Sequence, residues 1–86
     1  MGTDAQPYAE IGYMLMRLRT NLSEMNQKEW AQLHSFNPTQ YKNWEKGVRR
    51  IPVDSAELLC ERYSLTLDAI YRGKVFGLPE AISKVF

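Results

Sequence analysis

Apolar positions recur at helical spacing along this chain, and no stretch alternates with the two-residue period of a strand for more than a few positions. Ile11, Met14, Leu15, Leu18 and Leu22 share one helical face, which predicts a first helix from about Tyr8 to Asn21. A polar connector, Asn21 to Met25, follows. Asn26 then has the chemistry of an N-cap, and Glu29 three positions on completes a capping box, so a second helix starts here with Trp30 and Ala31 facing inward and His34 next in register. Ser35-Phe36-Asn37 reads as a turn. Asn37 is again a cap, and Pro38 occupies the first helical position, where a missing N–H costs nothing. The third helix runs to Lys46, with Tyr41 and Trp44 inward and Gly47 as the left-handed stop.

A short basic loop, Val48-Arg49-Arg50-Ile51-Pro52, leads to a fourth helix over about Val53 to Tyr63, with Ala56, Leu59, Cys60 and Tyr63 inward. Leu65 is a buried connector residue. A fifth helix starts at Thr66 or Asp68 and ends near Arg72, with Gly73 as its stop. Pro79 can open a final turn or two carrying Ile82, Val85 and Phe86. The chain thus divides into an N-terminal tail at 1–10, a helical domain at 11–72 and a C-terminal tail at 73–86. It has no repeats, low-complexity tracts or internal linker.

A length of 86 residues with 44% apolar content suits one small domain with one modest core. The single cysteine, Cys60, excludes an internal disulfide framework and fits a reducing, cytoplasmic setting. No apolar run approaches the roughly 20 residues of a membrane span, and MGTDAQPYAE lacks the charged and apolar blocks of a signal peptide.

Net charge is only +1, but its distribution is uneven. Residues 17–50 hold Arg17, Arg19, Lys28, Lys42, Lys46, Arg49 and Arg50 against Glu24, Glu29 and Glu45, whereas both flanking segments carry an acidic surplus. Phosphate neutralisation is a local matter, so a basic face can serve nucleic acid on a nearly neutral protein.

Little in the chain suits an enzyme or a cofactor. One His and one Cys stand 26 positions apart with no metal-ligand spacing, and the glycines form no phosphate loop. His34 fits a turn or partly buried structural residue, Cys60 a small core residue, and Glu57 with Glu61 a solvated helix face. No metal, cofactor or small-molecule ligand is indicated.

The segment Asn26 to Gly47 meets the demands of a helix-turn-helix, the module that lays its second helix in the major groove of DNA. The small residue Ala31 stands where the two helices cross, and Tyr41 with Trp44 buries the inner face. Thr39, Gln40 and Asn43, with Lys42 among them, offer donors and acceptors to base edges. Gln27 at the opening of the second helix and Lys46, Arg49 and Arg50 after the third are placed for phosphates.

Arg17-Leu18-Arg19, Asn26-Gln27 with Trp30-Ala31, Trp44-Glu45-Lys46-Gly47, Pro52 and Leu67-Asp68-Ala69-Ile70-Tyr71 resemble the phage-repressor and Cro-like (XRE-type) helix-turn-helix family over about Ile11 to Tyr71. The resemblance implies an all-α, five-helix lambda-repressor-like domain, with a short C-terminal helix as an addition. It also implies binding to a double-stranded DNA operator, often as a homodimer on a two-fold site. By position, Pro38, Thr39 and Asn43 fall where the family reads bases, with Gln40 and Lys42 adjacent. Gln27, Lys46, Arg49 and Arg50 fall at phosphate positions. Glu45 matches a glutamate that braces the recognition helix through a first-helix arginine, here Arg19. The ending around Tyr63-Ser64-Leu65 and Gly77-Leu78-Pro79 is similar to that of small stand-alone bacterial or phage regulators, which implies a complete protein.

Four departures stand out. Pro38 cannot bond to a base. Ser35 replaces a turn glycine, at a cost on the order of 1 kcal/mol for a left-handed serine. His34 replaces an apolar core residue, and the connector after the first helix is one residue longer.

The expectation is therefore a transcriptional regulator, a repressor acting by occupancy. The alternative is a protein-interaction module, an antitoxin or adaptor, that keeps the fold with little DNA binding. The apolar tail (Val75, Phe76, Leu78, Ile82, Val85 and Phe86) serves either a second copy of the chain or its own core.

Overall fold

The computed structural model describes residues 6–75 and 77–84. Among these every regular element is a helix: α1 (Ala9–Leu22), α2 (Gln27–Leu33), α3 (Pro38–Lys46), α4 (Val53–Tyr63), α5 (Leu67–Arg72) and the single-turn α6 (Glu80–Ser83). No helix is long and apolar enough to cross a membrane among the described residues.

The starts of α2, α3 and α5 follow the capping chemistry. Asn26 Oδ1 accepts from the Glu29 N–H at 2.8 Å, and the Glu29 carboxylate accepts from the Asn26 N–H at 3.0 Å, closing the capping box. Asn37 Oδ1 accepts from the Gln40 N–H at 3.0 Å. Thr66 Oγ1 accepts from the Ala69 N–H at 3.1 Å.

The ends of α2 to α5 share one device. Ser35, Gly47, Ser64 and Gly73 all take left-handed φ values, 63°, 87°, 57° and 67°. After α2, the Ser35 N–H bonds to the Gln32 carbonyl at 3.1 Å and the Phe36 N–H to the Ala31 carbonyl at 2.8 Å. These are the paired bonds of a Schellman motif, here with serine where glycine is usual. The residues that follow Ser35 and Ser64, Phe36 and Leu65, are each 8% exposed. Ser35 and Ser64 thus turn the chain so that the next side chain enters the core.

That core unites Ile11, Leu15 and Leu18 of α1, Trp30 and Ala31 of α2, Tyr41 and Trp44 of α3, and Leu59 and Ile70 of α4 and α5. One inward assignment is corrected. Leu22 is 37% exposed, because α1 ends there and Ser23 turns away in an extended conformation. Cys60 and Tyr63 of α4 do face inward: they are half-buried and pack against the core. In the tail, Leu78 and Ile82 pack against the chain's own core and Val75 is half-buried, while Phe76, Val85 and Phe86 lie outside the described residues.

Two contacts were not foreseen. Gly12 is buried where α1 crosses the end of α3. A Cβ built on it would fall on the carbonyl oxygen of Glu45 and stand 2.7 Å from that of Trp44. The second is His34, which is fully buried rather than partly so. Its Nδ1 lies 2.8 Å from the Trp30 carbonyl oxygen and its Nε2 2.7 Å from the Tyr63 hydroxyl. The neutral tautomer that satisfies both donates from Nδ1 and accepts at Nε2. Trp30, Phe36 and Tyr63 enclose the ring at centroid distances of 4.4, 5.7 and 5.6 Å.

Gly12→Ala drives a methyl group into backbone that has no rotamer to yield, so it should destabilise the domain by about 1–3 kcal/mol, read from urea midpoints. Burial lowers the pKa of His34, the Trp30 carbonyl opposes this, and the Arg62 charge adds to the lowering. Below the usual histidine value of about 6.5 the unfolded chain takes up a proton that the folded ring resists, so the stabilisation is complete above that pH and is lost on acidification. The slope should stay within the one-proton limit of about 1.4 kcal/mol per pH unit. Since the chain has one histidine, His34→Phe should flatten stability between about pH 6.5 and 5.5, and an unchanged slope would exclude His34 as its source.

Candidate nucleic-acid interface

The rotation of α3 about its axis decides what it shows to solvent. Tyr41 is 0% and Trp44 5% exposed, so their side of the helix is locked into the core. Thr39, Lys42, Asn43 and Lys46 then fall at i, i+3, i+4 and i+7 on the opposite side, one continuous stripe. Thr39, Lys42 and Lys46 are exposed and Asn43 is half-buried. Gln40 is also exposed but stands about 100° round from Thr39, at the edge of the stripe.

The tilt of α3 is set at its other edge. Arg19 Nε and Nη2 reach the two carboxylate oxygens of Glu45 at 2.8 and 3.0 Å, a bidentate pair between α1 and α3. Gln27 Nε2 donates to the same carboxylate at 2.9 Å from the start of α2, and Arg19 Nη1 donates to the Met25 carbonyl at 3.0 Å. The two side chains of the ion pair are 14% and 3% exposed. Burial alone would raise the Glu45 pKa; the hydrogen bonds from Arg19 and Gln27 outweigh it and hold the carboxyl below the usual range. Glu45 in turn raises the pKa of Arg19. The Tyr41 hydroxyl is buried beside this pair with no hydrogen-bond partner of good geometry, and burial pushes its pKa far above the tyrosine range.

Gln27, assigned to a phosphate from sequence, thus has one amide hydrogen on Glu45. It lines a cleft of about 200 Å³ with Lys28, Pro38, Thr39 and Lys42, between the first turns of α2 and α3. The structure therefore brings Gln27, Thr39 and Lys42 together. Lys28 joins them unforeseen, although its place beside Gln27 in the basic segment was a usable signal.

Past α3, Gly47 closes a second Schellman motif. Its N–H bonds to the Trp44 carbonyl at 3.2 Å, and the Val48 N–H to the Asn43 carbonyl at 3.2 Å. The Arg49 N–H reaches that same Asn43 oxygen at 3.4 Å, so the loop begins folded back on the helix. Arg49 and Arg50 are exposed. Arg50 meets α5: its guanidinium carbon lies over the ring of Tyr71, 4.2 Å from the centroid.

Elsewhere, an apolar groove of about 420 Å³ between α1 and α5 includes Tyr13, Met14, Ile70 and Tyr71, with Glu10 and Arg72 also on its walls. The Cys60 thiol is pushed up by burial and by Glu57 and Glu61, away from thiolate chemistry at neutral pH. Among the described residues no cluster of His, Cys, Asp and Glu could hold a metal ion. No protein-family model, curated protein or solved structure matches the chain.

Arg19→Met leaves the Glu45 carboxylate buried beside an apolar chain and should cost about 3–5 kcal/mol of stability. Arg19→Met/Glu45→Leu should recover part of that loss, because the unpaired charge is gone. Equal losses in both variants, measured by chemical denaturation, would show that the pair packs but does not brace.

Proposed function

We propose that this protein is a sequence-specific DNA-binding transcriptional regulator, a repressor of the phage-repressor and Cro-like helix-turn-helix type, with α2 and α3 as the bihelical unit. The observation that carries the reading is the outward stripe of α3. It is polar and basic throughout, and the loop that follows α3 carries two exposed arginines, Arg49 and Arg50. A nine-residue helix is about 13 Å long, and a helix of ordinary diameter fits the roughly 12 Å major groove of B-DNA.

In this reading Thr39 and Asn43 bond to base edges, Asn43 being suited to the paired donor and acceptor of adenine. Lys42 reads or steers from the same stripe. Gln40 reaches the groove wall from its edge, and Pro38 contributes shape without a donor. Lys46 and Arg49 hold one backbone segment, and the cleft of Gln27 and Lys28 at the start of α2 holds another. Occupancy of the operator then excludes or recruits polymerase.

One domain of this size covers one half-site, and two copies on a two-fold operator reach useful affinity. Leu78 and Ile82 are already packed on the chain's own core, so a homodimer contact would use another face.

Binding of a mixed-sequence duplex, followed by fluorescence anisotropy, should weaken steeply with salt. Four phosphate contacts correspond to roughly a 100-fold loss between about 50 and 200 mM. After selection of a preferred site, Asn43→Ala should cost about 1–3 kcal/mol and relax the preference at one base pair, whereas Lys46→Ala or Arg49→Ala should weaken all sequences alike and reduce the salt slope by about one. Salt-independent binding, or none, would overturn the reading and favour a protein-interaction module.

A further inference from the structure

We propose that Tyr71 is a positioning residue that holds the Arg50 guanidinium ready for a DNA phosphate; this rests on the DNA-binding reading above. Tyr71 has two independent contacts with the basic loop. Its ring lies under the Arg50 guanidinium, 4.2 Å from centroid to carbon. Its hydroxyl donates to the Ile51 carbonyl at 2.6 Å. Ile51 itself is fully buried. The other end of the loop is tied down by the Val48 and Arg49 N–H groups on the Asn43 carbonyl.

The consequence is that Arg50 sits on a segment anchored at both ends, with its guanidinium carbon over a ring of a third element. Stacking uses the flat face of a guanidinium and leaves its N–H edge for a second partner. An unrestrained arginine loses rotamer freedom when it binds a phosphate, and one already stacked has lost much of it beforehand. α5 is a suitable platform because Ala69 and Ile70 beside Tyr71 are buried. The cation–π contacts among the described residues are this one and that of Arg17 with Tyr13, so Arg49 lacks such a support.

The test is the salt-dependent binding of a mixed-sequence DNA duplex to the full chain and to Tyr71→Phe, Tyr71→Leu, Arg50→Ala and Tyr71→Leu/Arg50→Ala. Arg50→Ala should lower the salt slope by about one contact. Tyr71→Leu should weaken binding by about 3- to 10-fold with the slope kept, since the charge remains but its geometry does not. Tyr71→Phe keeps the ring and should retain most of the affinity. The Tyr71→Leu loss should vanish in the Arg50→Ala background, because the two act through one contact. A ring-current shift of the Arg50 Hε resonance, present in the wild type and in Tyr71→Phe, reads the stacking without DNA even where Tyr71→Leu fails to fold.

An unshifted Arg50 resonance would overturn the proposal. So would an equal Tyr71→Leu loss in both backgrounds, which marks a merely structural tyrosine. Those outcomes leave wild-type binding intact and so differ from failure of the DNA reading, in which the wild type shows no salt-dependent affinity and both ideas fall.

Discussion

A single carboxylate ties together three helices. Glu45 accepts from Arg19 on α1 and from Gln27 at the start of α2, while its own backbone belongs to α3. A charge that is 3% exposed needs such partners, so relative movement of α1, α2 and α3 at this point would break the junction. Two further contacts act on the same helix. Gly12 lets the α1 backbone approach the end of α3 closely, and the Tyr8 N–H donates to the Gly47 carbonyl at 3.0 Å. The face that α3 shows to solvent is therefore set less by its own polar residues than by what lies behind it. Glu45 fixes its tilt, Gly12 its depth, and Tyr41 with Trp44 its rotation.

A run of aromatic rings passes through an otherwise aliphatic interior. Tyr63, Trp30, His34, Phe36, Tyr41 and Trp44 form a continuous series of ring contacts with centroid separations between 4.4 and 6.1 Å. Aromatic rings fill a large volume with few side chains, which suits a chain of this length. They also explain how a histidine is accommodated at the α2–α3 turn. Its faces meet rings, and its two nitrogens meet the Trp30 carbonyl and the Tyr63 hydroxyl. The same turn contains left-handed Ser35, so the price of a non-glycine residue there is balanced by the burial of Phe36 immediately after it.

Features governed by local chemistry were legible in the sequence. Asn26, Asn37, Pro38, Gly47 and Gly73 announce helix boundaries because a cap or a left-handed stop depends on a residue and its near neighbours. The inward places of Trp30, Tyr41 and Trp44 follow from periodicity for the same reason. Gly12 was not legible, because it sits inside a regular helix and acquires its role only from the α3 carbonyls that cross it. Periodicity also placed Leu22 inward, but the helix ends before the core reaches it. The amide of Gln27 and the ring of Tyr71 were obscure for a related reason. Gln27 bonds to a residue 18 positions away, and the loop contacts of Tyr71 come from a different element. Position alone describes them as a polar helix start and an amphipathic face.

The placement of charge follows from the same division between local and long-range order. With a net charge of +1, the protein has no overall field to concentrate a polyanion, so any attraction must come from cations held close together. The fold supplies that closeness by two routes. Lys42 and Lys46 share a helical stripe with Thr39 and Asn43, a consequence of spacing along one element. Lys28 and the two loop arginines come near by folding: Lys28 through the cleft between α2 and α3, Arg49 through the Asn43 carbonyl, and Arg50 over Tyr71. The first group would keep its arrangement in any stable helix 3. The second depends on the Glu45 junction, the Gly47 turn and α5 being in place together. On the DNA-binding proposal, affinity would therefore depend more on tertiary stability than base preference would, and a loss of packing far from α3 would show first as weaker attraction rather than altered selectivity.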